Sequence, residues 1–182
     1  MSIAPRFVLL DRDGVLNQDR PESVRKREDM QLIPKAAQAT ARLRAAGYQL
    51  IVITNQACIG RGDTTPEELF AIHERMIELL AKDGGGVDDI FICPHLDADD
   101  CDCRKPEPGL LKEAARIHGF KLQETWFVGD AGRDVEAAWN AGAMPALVKT
   151  GKGLKEAREY PEVPLFDDLD HFARHILSLD TP

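Results

Sequence analysis

The sequence predicts an α/β protein built on a mainly parallel sheet, and two observations carry that expectation. Short apolar runs of strand length alternate with amphipathic stretches of helical period along the 182 residues. The longest stretches without an evident element, 14–33, 55–64 and 93–106, each begin where a strand ends. Functional loops of such sheets sit there, at the carboxyl edge.

Residues 6–10, "RFVLL", are short and apolar, stop at the polar turn "DRDG", and read as a buried strand. The stretch 34–46 opens with Pro34, whose fixed φ suits a first helical position, and closes at Gly47. Residues 48–54, "YQLIVIT", give the second strand. The stretch 65–82 offers Thr65 as a cap and Pro66 as the first helical residue. It places Leu69, Ile72, Met76, Leu79 and Leu80 on one face. After the break "DGGG", residues 88–93 read as the third strand, and Pro108 opens a helix reaching about Ile117. Residues 125–129 form a fourth strand, 134–142 a helix ending at Gly142, 144–149 a fifth strand and 169–179 a closing helix. One domain, 1–182, is expected.

Composition narrows the function. Hydrophobic residues are 43% and charged residues 30% of the chain, as in ordinary soluble proteins, and the formal charge is −8. No basic arm or stripe offers itself to nucleic acid. No apolar run approaches membrane-spanning length, and "MSIAPRFVLLDRDG" lacks the long apolar region of a signal peptide. A cytoplasmic protein is expected, where cysteines bind metal or stay reduced more often than they pair.

Carboxylates gather at strand ends. Asp11 and Asp13 follow the first strand, and Asp130 follows the fourth with Asp134 one helical turn on. A single D-x-D is an ordinary turn. Two clusters at two strand ends bring carboxylates into one small volume, where they repel unless a hard cation such as Mg²⁺ joins them. Thr54 and Asn55 follow the second strand, and Lys105 follows the third and its loop. A hydroxyl, an amide and an ammonium facing a metal-bound carboxylate form a cradle for a phosphoryl group.

The stretch "CPHLDADDCDCRKPEPG" holds Cys93, His95, Cys101 and Cys103 just ahead of Arg104 and Lys105. Three thiolates and an imidazole make a closed tetrahedral set, the pattern of structural Zn²⁺. A disulfide and free thiols are the alternatives; a disulfide is not expected in a cytosolic chain, and free thiols would not account for His95 at that spacing. Residues 94–104 have little apolar content to order them, so a metal clip would fix the backbone that presents Arg104 and Lys105. Cys58 stands apart and is not needed.

In order and spacing, "LLDRDGVLN", "VITN", "RKPEPG" and "FVGDAGRD" resemble the four motifs of the haloacid dehalogenase superfamily of phosphatases, over residues 6 to about 150. The resemblance implies a three-layer, Rossmann-like fold with a five-stranded parallel sheet and an aspartyl-phosphate mechanism. By position, Asp11 would be the nucleophile and Asp13 the acid and then the base. Thr54 and Lys105 would hold the transferring group. Asp11, the backbone carbonyl of Asp13, and Asp130 would bind Mg²⁺, with Asp134 a structural carboxylate. The zinc loop is similar to a branch without a large cap domain, and neither 14–33 nor 55–64 has room for a separate folded cap. That branch implies a small phosphorylated substrate: a heptose 1,7-bisphosphate, in lipopolysaccharide precursor synthesis, or histidinol phosphate. "TNQACIGRGDTTPEEL" resembles the bisphosphate enzymes, although Ala57 and Cys58 stand where they usually carry Ser and Gly. Arg61 and Arg104 offer guanidinium groups for a second phosphate, and Asn55 and Asp19 complete the expected substrate contacts. No nucleic-acid or membrane partner is expected, and the chain is read as a monomer.

Overall fold

A computed structural model describes residues 6–179; the first five residues, part of the N-terminal stretch examined for targeting, and the last three lie outside them. The strands are β1 (Arg6–Leu10), β2 (Tyr48–Asn55), β3 (Asp89–Cys93), β4 (Trp126–Gly129), β5 (Met144–Val148) and β6 (Leu165–Phe166). The helices are α1 (Ala36–Ala45), α2 (Ala57–Gly60), α3 (Pro66–Ala81), α4 (Gly109–His118), α5 (Gly132–Ala141), α6 (Gly153–Glu156) and α7 (Leu169–Leu179). All strand pairs are parallel, in the order β3-β2-β1-β4-β5-β6.

Alternation of side chains along the strands builds the three layers. Val8, Leu10, Leu50, Val52, Val128 and Val148 face one way and pack with residues of α1, α3 and α7. Phe7, Leu9, Ile51, Ile53 and Phe127 face the other way and pack with α4 and α5. Both faces of the central strands are covered, as near-continuous apolar sequences require.

Helix α3 starts as expected: the Thr65 side chain accepts a hydrogen bond from the Glu68 backbone N–H at 3.2 Å, with Pro66 in the first position. Leu69, Ile72, Met76 and Leu80 are buried along its inner face. Helix α1 starts two residues later than its sequence suggests. The Ile33 N–H bonds the Leu16 carbonyl, and the chain then turns through Lys35 at φ +67° before the helix begins. The expected five strands become six. β6 has two residues, too short for a periodic signal, and pairs Leu165 with Leu147 and Phe166 with Val148.

Neither 14–33 nor 55–64 forms a cap; they hold a single 3₁₀ turn (Arg27–Asp29) and the four-residue α2. Among the described residues no helix is long and apolar enough to cross a membrane. The order reverses between β1 and β4, which opens a crevice at their carboxyl ends. Asp11 and Asp130 stand there.

Helix α7 is anchored by Phe172, fully buried with its ring edge-on to Trp126 and Phe166 at 5.9 and 5.4 Å. Phe172→Ala is expected to cost about 3–5 kcal/mol in chemical denaturation. A loss below about 1 kcal/mol would mean that α7 does not hold this side of the sheet together.

Candidate active site

Parallel strands bring the loops after β1, β2, β3 and β4 to one edge. The Asp11 backbone N–H donates to the Val128 carbonyl at 2.9 Å, which ties the end of β1 to β4. Its carboxylate is 2% exposed, accepts the Arg12 N–H at 2.7 Å, and lies 3.0 Å from the Lys105 ammonium. Lys105 is buried as well, 2.7 Å from Asp134 and donating to the Ile53 carbonyl at 2.9 Å. Asn55 fixes the Lys105 backbone from both sides: its amide oxygen accepts the Lys105 N–H at 3.1 Å, and its amide nitrogen donates to the Lys105 carbonyl at 3.0 Å. The amide expected to face substrate therefore serves the lysine.

Asp130 is buried at the end of β4. One of its oxygens accepts the Lys152 N–H at 2.9 Å, and the other has no hydrogen-bond partner. Gly14, at φ +81°, lies so close that a Cβ there would sit 2.2 Å from Asp130 Oδ2. Asp134 accepts the N–H groups of Asp130 and Ala131 with one oxygen and pairs with Lys105 through the other, as a structural carboxylate would.

Burial raises the Asp11 carboxyl to about 6; Asp134 adds to this and Lys105 opposes it. Burial, then Asp11 and Asp134, raise Asp130 to about 7. Burial works against the Lys105 charge, but Asp11 and Asp134 outweigh it and hold its pKa above the ordinary value.

Ligand atoms of Asp11, Asp130 and Asp134 all lie within 4.8 Å of one another. With all three ionised, Lys105 and the neighbouring Arg133 still leave the cluster net negative, which favours a further cation. The unpartnered Asp130 oxygen is a ready ligand.

Asp13 is held on every side. One Arg12 nitrogen reaches both of its oxygens at 2.9 Å, and Asn17 and Gln56 each donate one bond at 2.9 Å. Burial alone would raise its pKa, but Arg12, Asn17 and Gln56 together bring it below the ordinary value. Gln56 also donates to the Thr54 hydroxyl at 2.9 Å, so Thr54 and Asp13 share one support.

The cysteine cluster is assembled. His95 Nδ1 lies 3.2 Å from Cys103 Sγ and 3.6 Å from Cys93 Sγ, and the three sulfurs are 3.3–3.8 Å apart. A tetrahedral ion with bonds of about 2.3 Å to sulfur sets its ligands roughly 3.8 Å apart. The four atoms fit that shape, and all the cysteines are free. Burial, then Cys93 and Cys101 alongside, push the Cys103 thiol up, a cost that a bound cation would reverse.

The remaining predicted residues lie at the rim. Arg104 donates to Asp97 and to the His95 carbonyl, the latter at 3.3 Å, so it is pinned across the cysteine loop. Arg61 donates to Asp63 at 2.7 Å. Asp19 pairs with Lys152 at 3.2 Å and lines a cleft of about 720 Å³ with Gln18, Arg20, Pro34 and Thr150.

Four participants had escaped the sequence reading: Arg12, Gln56, His73 and Arg133. His73 is 6% exposed and accepts from Arg12 at 3.1 Å. Arg133, inside "FVGDAGRD", begins a helix where a cation is unfavourable, a signal that anions surround it. Asp11, Asp134, Asp130 and Asp19 do, and they raise its pKa against the pull of burial.

A family model described as HAD-hydrolase-like matches residues 102–172. The chain is 40% identical to the D-glycero-beta-D-manno-heptose-1,7-bisphosphate 7-phosphatase of Neisseria meningitidis serogroup B over 97% of each chain. It is 44% identical to the protein of the same name from Pseudomonas aeruginosa, over 94% of this chain and 98% of that one. The crystal structure of the D,D-heptose 1,7-bisphosphate phosphatase from B. bronchiseptica, complexed with magnesium and phosphate, superimposes with a TM-score of 0.92. It is 39% identical and covers 95% of this chain and 98% of its own. The strand-end carboxylates, the buried lysine and these relatives converge on one conclusion: the chain belongs to the haloacid dehalogenase superfamily, in the branch of the heptose bisphosphate phosphatases.

Proposed function

We propose that the protein is a Mg²⁺-dependent phosphatase that removes the 7-phosphate of D-glycero-D-manno-heptose 1,7-bisphosphate through a phosphoryl-Asp11 intermediate. The observation that carries it is the Asp11–Lys105–Asp134 cluster at the β1/β4 crevice, with Asp130 beside it. The relatives named above carry the heptose bisphosphate in their names, which favours it over histidinol phosphate.

Asp11 attacks phosphorus, and Lys105 and Thr54 hold the transferring oxygens. Asp13, once protonated, gives its proton to the leaving sugar oxygen. Ionised again, as it stands among Arg12, Asn17 and Gln56, it takes a proton from the water that cleaves the acyl phosphate. Asp11, Asp130 and the Asp13 carbonyl would hold Mg²⁺, which when bound supplies positive charge against the phosphoryl oxygens. Zn²⁺ on Cys93, His95, Cys101 and Cys103 would order the loop that ends at Lys105. Arg104 and Arg61 bind the second phosphate, and Asp19 the sugar. The same reading takes the protein as a cytoplasmic monomer, for which light scattering should give the mass of one chain.

Turnover compared across heptose 1,7-bisphosphate, histidinol phosphate and fructose 1,6-bisphosphate tests the substrate; faster release from histidinol phosphate would reassign it. Asp11→Asn should keep the fold and lose essentially all turnover, because an amide cannot form the acyl phosphate. Arg104→Ala should lower kcat/KM for the bisphosphate roughly ten- to a hundred-fold, the worth of one charge-assisted contact. A small monophosphate should suffer much less, and equal losses would leave Arg104 only its loop role.

Metal and pH are linked with a definite sign. Asp11 and Asp130 sit at about 6 and about 7, above the ordinary 3.8, so the folded chain without metal retains protons that the unfolded chain releases. This stabilisation is complete below pH 3.8 and is lost as pH rises through 6–7. The melting temperature in chelator should therefore fall across that window, and Mg²⁺ should restore more at pH 7.5 than at pH 5.5. A Mg²⁺ increment independent of pH would mean that these carboxylates are not its ligands.

Zinc should resist mild chelation that strips Mg²⁺, and elemental analysis should find about one equivalent per chain. Cys101→Ala should remove it and raise KM before kcat. Active protein without zinc would sink the scaffold role.

A further inference from the structure

His73 is joined to the acid–base carboxylate through Arg12. It projects from the middle of α3, is buried, and touches Arg12, whose side chain has no exposed surface. A guanidinium has five donors and no acceptor, so the 3.1 Å contact from Arg12 Nη1 requires a lone pair on His73 Nε2. The imidazole is thereby the neutral tautomer with its proton on Nδ1. Its protonation is opposed first by burial and then by Arg12, and its pKa is held down to about 3.

The other side of the same guanidinium bridges both oxygens of Asp13 at 2.9 Å. Arg12 Nε has no partner, so its anchors are His73 at one nitrogen and Asp13 at another. Removing the first leaves the guanidinium anchored by Asp13 alone, the group it is to hold in place.

We propose that His73 is a positioning residue of the phosphatase: it fixes the Arg12 guanidinium from behind, and Arg12 in turn fixes where the Asp13 carboxyl stands. The proposal rests on the acid–base role given to Asp13 above. His73 touches no reacting atom; it acts through Arg12. The clamp belongs to α3, a helix whose sequence carries none of the four motifs, so it links the chemistry to a layer otherwise devoted to packing.

Glutamine carries its carbonyl oxygen at about the reach of Nε2, whereas the asparagine carbonyl stops near Nδ1. His73→Leu and His73→Asn should therefore lower kcat about ten- to a hundred-fold, a part of what general acid–base catalysis contributes, with KM little changed. The loss should be larger on an alkyl phosphate than on 4-nitrophenyl phosphate, whose phenolate leaves without a proton. His73→Gln should recover most of it. A role in folding alone would track melting temperature and would not separate the two leaving groups. Long-range ¹H–¹⁵N correlation in the parent protein should show His73 neutral, with Nε2 unprotonated, at pH 7. An Nε2–H tautomer or an imidazolium overturns the clamp, and so does a leucine variant with the parent's kcat and leaving-group ratio. Should the leucine variant fail to fold, equal activity of the glutamine and asparagine variants overturns it instead. A parent that hydrolyses none of these phosphates would remove the enzymatic reading, while the nitrogen spectrum would still decide whether His73 holds Arg12.

Discussion

One buried ammonium organises the carboxyl edge of the sheet. Lys105 lies 3.0 Å from Asp11 and 2.7 Å from Asp134, with its side chain shut off from solvent. Neither sign of charge would stay buried there alone: a lone ammonium would lose its proton, and carboxylates this close would keep theirs. Their mutual attraction explains why three acids occupy the end of a sheet whose strands are otherwise apolar. Burial first, and then the neighbouring carboxylates, raise Asp11 and Asp130, against Lys105 and Arg133 at Asp11 and Arg133 at Asp130.

The lysine must be placed, and its loop has no core of its own. Residues 94–104 are mostly polar, and they contribute Cys101 and Cys103 only to the fringe of the packed layer under α4. Three restraints do the placing. Cys93, the last residue of β3, ties the Cys/His cluster to the sheet. Asn55, the last residue of β2, clamps the Lys105 backbone with two hydrogen bonds. Gly109 completes the fit, since a Cβ there would sit 2.3 Å from the Asp102 carbonyl oxygen. The cluster at one end of the loop and Asn55 at the other restrain it more than its own apolar contacts do.

Much of this was legible in the sequence because it depends on local order. Asp11, Thr54, Cys93 and Asp130 each stand at or just past the end of an apolar run, and a parallel sheet collects such ends on one edge. Periodicity likewise placed the inner face of α3. What escaped depends on contacts distant in the chain. Arg12 and His73 are 61 positions apart, and no local pattern joins them. His73 lies on the same helical face as Leu69, Ile72, Met76 and Leu80, so its burial was readable, but its partner was not. β6 escaped because two residues carry no period. Asn55 was found at the right place and given the wrong neighbour, since a side chain's direction at a strand end depends on the loop that lands beside it.

The interior and the rim follow different rules. Asp11, Asp13 and Lys105 are bonded on several sides in surroundings where each contact is strong and hard to exchange. Arg61 and Arg104 are paired with Asp63 and Asp97, and Asp97 is 90% exposed, so solvent screens the bond that Arg104 makes to it. Exposed pairs of that kind are worth little, and a phosphate dianion offers the same guanidinium more charge and more acceptor oxygens. Pairing therefore does not rule out the second-phosphate role proposed for these arginines. On that proposal the pairs would hold the guanidinium groups over the loops until a stronger acceptor arrived, so that little ordering would remain to be done on binding.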